Sequence, residues 1–84
     1  MTRKELCKVL GNEERLQLLI CLTKAQTVTE LLGRCHLSQS ALSQHLRILR
    51  DVGVVRTKKV GKFVVYQACD KEVLKIAKLV TAYQ

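Results

Sequence analysis

A mainly α-helical domain carrying one β-hairpin, an α+β arrangement, is the fold class that these 84 residues predict. Three observations carry the prediction. Apolar residues recur at helical spacing in five segments, several opened by a capping residue. Two of those segments meet at a tight turn, His36-Leu37, and the second is the longer and is polar at its start, which is a helix-turn-helix pattern. Two β-rich runs, residues 54–60 and Phe63–Ala68, then flank Gly61-Lys62, and glycine at the first central position suits a two-residue hairpin turn.

Taken in order, the first helix is expected over residues 2–10, with Leu6, Val9 and Leu10 on one side and Gly11 ending it. Asn12 reads as the N-cap of the next helix, and Glu13 and Glu14 suit the positive end of its dipole. That helix, residues 13–24, is apolar almost all round through Leu16, Leu18, Leu19, Ile20, Cys21 and Leu22, which predicts a central, buried position. Ala25-Gln26 reads as a loop. Thr27 and Glu30 stand at capping-box spacing and open a short helix over residues 28–35, with Val28, Leu31 and Leu32 inward. After the turn, Ser38 caps a helix over residues 39–52, and Gly53 holds the place of its C-terminal glycine. The hairpin follows. Asp70 caps a last helix running to Gln84, with Val73, Ile76, Ala77, Val80 and Tyr83 as an apolar stripe and Lys71, Lys75 and Lys78 opposite.

The length allows one domain, residues 1–84, with a thin core to which association would add buried area. A hydrophobic share of 48% marks it as globular rather than disordered. The formal charge of +8 predicts a polyanionic partner. The charge is concentrated: between Leu31 and Cys69 the bases Arg34, Arg47, Arg50, Arg56, Lys58, Lys59 and Lys62 face a single acid, Asp51. A solvated basic surface is the plain alternative. No apolar run approaches the roughly 20 residues of a membrane span, and the first ten residues lack the apolar stretch of a secretory signal. A cytoplasmic, nucleoid-associated protein with no membrane partner is therefore expected. Cys7, Cys21, Cys35 and Cys69 form no C-x-x-C pair, and a reducing compartment would keep them as thiols. With no phosphate loop, nucleophile–base pair or metal–water site, neither an enzyme nor a cofactor is expected.

The helix over residues 39–52 explains what the charge is for. Leu42, Leu46 and Leu49 fall at i, i+4 and i+7 and should face the core, leaving Gln39, Ser40, Ser43, Gln44 and Arg47 outward. A recognition helix reads the major groove of DNA with residues near its N-terminal end. Gln can pair with adenine by two hydrogen bonds, Arg suits guanine or phosphate, and Ser serves either. The helix start at Ser38 favours a phosphate oxygen through its free N–H groups. His45, beside the leucine face, reads as a packed side chain bonded to backbone or phosphate rather than a metal ligand. In the hairpin, Arg56, Lys58, Lys59 and Lys62 should contact phosphates or the adjacent minor groove, which gives affinity and position more than sequence information. Lysines at a sheet edge also block edge-to-edge pairing. Helix, turn, helix and basic hairpin together make a winged helix-turn-helix whose partner is duplex DNA.

On these residues the chain resembles the ArsR/SmtB family of winged-helix repressors. The matching stretches are LGNEERL at residues 10–16, VTEL at 28–31, LSQSALSQHL at 37–46 and LRDVGVV at 49–55, with Gly61 and Tyr66 in the wing. The resemblance implies a homodimer whose first and last helices pack across the two-fold axis. It implies binding to an imperfect palindrome in an operator or promoter, with repression when bound. It does not extend to the family's metal sites. The two cysteines expected after the glutamate at position 30 are Leu32 and Arg34, with Cys35 one place further, and the last helix has no histidine and only Asp70 and Glu72 near its start. No metal site is therefore assigned. A redox-sensing branch of the family would place cysteines at Ile20 and Gln84, and Cys21 stands one residue past the first of these. Cys21, Cys7 and Cys69 remain as thiols for another pairing, while buried thiols acting as small apolar residues are the plainer reading. A thiol- or metal-responsive repressor, or a winged-helix protein-interaction module without specific DNA binding, are the alternatives.

Overall fold

The computed structural model describes residues 1–83; Gln84, the expected end of the last helix, lies outside them. Thr2 opens α1 (Arg3–Leu10) with a capping box: its hydroxyl accepts from the Glu5 N–H at 3.1 Å, and its own N–H donates to Glu5 Oε1 at 2.8 Å. Asn12 Oδ1 caps α2 (Glu13–Cys21) by accepting from the Arg15 N–H at 3.0 Å. The helix is shorter than residues 13–24. Past Leu22 the Thr23 N–H and hydroxyl both turn back to the Ile20 carbonyl, at 3.1 and 2.7 Å. A threonine that bonds the local backbone competes with helix continuation in this way.

The pattern predicts a loop at Ala25-Gln26, whereas Gln26–Thr27 form a two-residue strand, β1. Its register places Gln26 opposite Tyr66 and Thr27 opposite Val65. Gln26 is buried, and its side-chain amide donates to the Cys21 carbonyl. Thr27 then caps α3 (Val28–Leu32) by the expected capping box, with the Glu30 N–H donating to its hydroxyl at 3.2 Å and its N–H to Glu30 Oε1 at 2.9 Å. Here α3 stops three residues before position 35, and beyond it the Arg34 and Cys35 N–H groups both converge on the Leu31 carbonyl, each at 3.0 Å. Ser38 caps α4 (Gln39–Asp51), accepting from the Ala41 N–H at 3.1 Å. Gly53, at φ +87°, turns the chain out of the helix in a conformation that side-chain-bearing residues avoid.

Strands β2 (Val55–Val60) and β3 (Phe63–Ala68) form the hairpin, and β3 is the central strand of an antiparallel sheet in the order β1-β3-β2. Gly61 has φ +61°, whereas every described non-glycine residue, Lys62 included, has negative φ. Positive then negative φ is the mark of a type II′ turn, whose twist matches that of the strands it joins. Asp70 caps α5 (Lys71–Ala82), and Tyr83 is already extended.

One core lies between the helices and the root of the sheet. It holds Val9 from α1, Leu16, Leu18 and Leu19 from α2, and Leu22 just beyond it. Leu31 joins it from α3, Leu42, Leu46 and Leu49 from α4, Val54 and Val55 at the start of the hairpin, and Val73 and Ala77 from α5. The hairpin is fastened to that core at its base. The Ala68 N–H donates to the Leu22 carbonyl at 2.8 Å and the Cys69 N–H to the Val54 carbonyl at 2.9 Å. Helices α3 and α4 with the hairpin behind them make a winged helix-turn-helix.

Candidate nucleic-acid interface

The interface is built on α4. Its leucine face is closed: Leu42, Leu46 and Leu49 are each no more than 2% exposed. With one face committed to the core, helical geometry turns Gln39, Ser40, Ser43, Gln44 and Arg47 outward, and all five are exposed. No acid occupies the first turn, so the free N–H groups at the start of α4 keep their positive potential toward solvent. Arg47 lies 3.9 Å from Asp51 across one turn, with both side chains mostly exposed. A surface pair of this kind contributes little, so it holds the guanidinium only weakly. His45 is half-buried, as expected, but its Nδ1 is buried with no hydrogen-bond partner among the described residues. Of the backbone or phosphate partner expected for it, the described residues supply no backbone bond.

The wing presents its expected bases, Arg56, Lys58, Lys59 and Lys62, all exposed. Strand alternation divides them in a way the sequence reading did not foresee. Thr57 lies opposite Tyr66 and Lys59 opposite Val64, so these four share the face that carries buried Val55. Arg56 and Lys58, opposite Gln67 and Val65, lie on the other face with Val60 and Phe63. Lys62 sits in the turn, its ammonium 6.0 Å from the Phe63 ring centroid. Two further residues join this region without a signal in the helical pattern. A notch of about 220 Å³ between α4 and the sheet is lined by Ser43, Leu46, Arg47 and Arg50 of α4, with Tyr66 of β3 and Val28 of α3 opposite.

Cys7 and Cys69 are exposed, Cys21 and Cys35 are half-buried, and all four are free. Cys69 donates its S–H to the Gly53 carbonyl at 3.3 Å. Cys21 lines a cavity of about 460 Å³ together with Cys35, not with Cys7 or Cys69. Among the described residues no group of three or more His, Cys, Asp or Glu side chains is placed to hold a metal ion. No helix among them is long and apolar enough to cross a membrane. The Glu5 and Glu30 carboxyls are held below the ordinary glutamate range, each first by the backbone N–H of its capping threonine and then by that threonine's hydroxyl.

Known proteins share this arrangement. A family profile described as "Bacterial regulatory protein, arsR family" matches residues 12–57, from the cap of α2 into β2. The transcriptional activator HlyU of Vibrio cholerae is 48% identical over 69 residues, covering 81% of this chain and 64% of its own. The HTH-type transcriptional repressor SmtB of Mycobacterium tuberculosis is 36% identical over 67 residues, covering 79% of this chain and 50% of its own. The chain thus spans between half and two thirds of the length of these relatives. A solved structure of HlyU from Vibrio cholerae superimposes with a TM-score of 0.82 at 40% identity, covering 98% of this chain and 96% of that one. The matched segment contains the capped α2, the turn, the whole of α4 and the start of the strand that leads into the wing, and on that ground the chain belongs to the arsR family of bacterial regulatory proteins.

Proposed function

We propose that the chain is a homodimeric, sequence-specific DNA-binding transcriptional regulator that works as a repressor at an imperfect palindrome, in the cytoplasm at the nucleoid. The observation that carries the reading is α4 itself. One face is closed into the core, and the other offers Gln39, Ser40, Ser43, Gln44 and Arg47 to solvent beside a basic wing. In this reading Ser40 and Gln44 read base edges in the major groove, with Gln39, Ser43 and Arg47 flanking them. Ser38 and His45 lie against the backbone nearby, and Arg56, Lys58, Lys59 and Lys62 supply phosphate contacts.

Dimerisation is supported by apolar surface that the core leaves uncovered. On α5, Ile76, Leu79, Val80 and Tyr83 are 37%, 67%, 44% and 86% exposed. Val80 and Tyr83 also border a groove shared with Leu10 and Leu16. Contiguous apolar surface of this kind marks an association site, and a two-fold dimer presents two recognition helices to two half-sites. Repression then follows from occupancy of a promoter.

Fluorescence anisotropy on the duplex upstream of the chain's own gene tests the reading against a scrambled duplex at several salt concentrations. Preference for the upstream duplex is expected, and Ser40→Ala with Gln44→Ala should abolish that preference while leaving scrambled-duplex affinity nearly unchanged. Equal loss on both duplexes would remove these two residues from base reading. A reporter driven by the same promoter should rise when the chain is deleted, and a fall would make it an activator.

A further inference from the structure

From the notch between α4 and the sheet we infer a dedicated phosphodiester seat, in which Arg50 and Tyr66 anchor one backbone phosphate of the DNA. The inference rests on the DNA-binding reading above and adds two residues to it. Ser43, Leu46, Arg47 and Arg50 are spaced i, i+3, i+4 and i+7, so they form one strip along α4 that faces the sheet. Tyr66 closes the notch from the central strand, where its ladder partners Gln26 and Thr57 fix its backbone on both sides. Leu46 and Val28 give the notch an apolar wall.

The polar groups gathered there are almost all donors. Two guanidiniums carry ten N–H bonds and no acceptor between them, and the Ser43 and Tyr66 hydroxyls add two more. Among the described residues none of these four side chains donates a hydrogen bond, and the one ion pair they make there is the 3.9 Å approach of Arg47 to Asp51. A donor-rich, cationic notch bordered by apolar wall fits a singly charged ligand with several acceptor oxygens. A phosphodiester has that chemistry, and guanidinium binds it with two parallel hydrogen bonds. The seat lies toward the C-terminal half of α4, whereas the base-reading residues lie toward its start. A phosphate held there would fix how far the helix slides along the groove, which is the positioning role of backbone contacts.

The test uses the whole chain and its upstream duplex. Arg50→Ala should weaken binding about tenfold or more on both upstream and scrambled DNA, as loss of a charged hydrogen bond implies, and should reduce the salt slope by roughly one. Arg50→Lys, which keeps the charge but not the fork, should restore the slope and only part of the affinity. Tyr66→Phe should weaken binding with the slope unchanged, because it removes a donor and no charge. Single methylphosphonate linkages placed along each strand should include one that weakens the wild type but not Arg50→Ala. If Arg50→Ala and Tyr66→Phe match the wild type in affinity and slope while Ser40→Ala with Gln44→Ala still loses specificity, the seat is overturned and the DNA-binding reading stands. Absence of salt-dependent affinity for any duplex in the wild type overturns both.

Discussion

At Thr27 one hydroxyl and one backbone N–H hold the start of α3 and, through it, the turn that aims α4. Thr27→Ala should cost about 1 kcal/mol of stability, the usual loss for a cap, read as a lower urea midpoint with unchanged slope. The same box makes stability depend on pH. The Glu30 carboxyl is held below its ordinary value by the Thr27 N–H and then the Thr27 hydroxyl. A carboxyl depressed in the folded state contributes fully above its ordinary unfolded value, and that contribution is lost as pH falls through the folded value. Glu30→Gln keeps a reciprocal bond without titrating. Its urea midpoint should therefore fall less than the wild type's between neutral and acid pH, and parallel curves would take Glu30 out of the acid response. In the core, Leu42 is wholly buried, and Leu42→Ala should cost about 2–5 kcal/mol, a large part of what a small domain has.

Among the elements, the wing divides its charge between two faces, and the division has a measurable outcome. Lys59 lies on the face of Tyr66, which borders α4, while Lys58 lies on the reverse. Lys59→Ala should flatten the salt dependence of DNA binding more than Lys58→Ala, each by at most about one unit, and equal effects would mean that both faces of the hairpin meet phosphate. Sequence could not place these two residues because adjacent strand positions differ only through register, and register is set by pairing with β3. The helices were legible for the opposite reason. Their caps Asn12, Thr27, Ser38 and Asp70 act within three residues, and the leucines of α4 repeat within one element. β1 was not legible, since Gln26 and Thr27 have no strand character of their own and become a strand only by pairing with residues forty positions away. Arg50 and Tyr66 were missed likewise, as they meet only when the sheet folds against α4. The α5 stripe was half legible: Val73 and Ala77 are buried as the period requires, whereas Ile76, Val80 and Tyr83 of the same stripe are exposed.

For the molecule as a whole, that uncovered stripe is the surface on which the proposed dimer rests. Leu79→Glu with Val80→Glu should shift the chain from dimer to monomer in sedimentation at micromolar concentration. It should lower affinity for a full palindrome far more than for a half-site, since linked half-sites gain from one another's binding. A wild type that sediments as a monomer would end the dimer reading. The hairpin, finally, is built as a cantilever. Its root is clamped by the Ala68 bond to Leu22, the Cys69 bond to Val54 and the third strand alongside Tyr66 and Val65, while beyond Val65 only two strands remain, out to the II′ turn. Stiffness should therefore fall along its length. Amide exchange should be slow at Tyr66 and Ala68 and quicken toward Val60, leaving a springy tip that, in the proposed complex, would follow minor grooves of different width without moving the recognition helix.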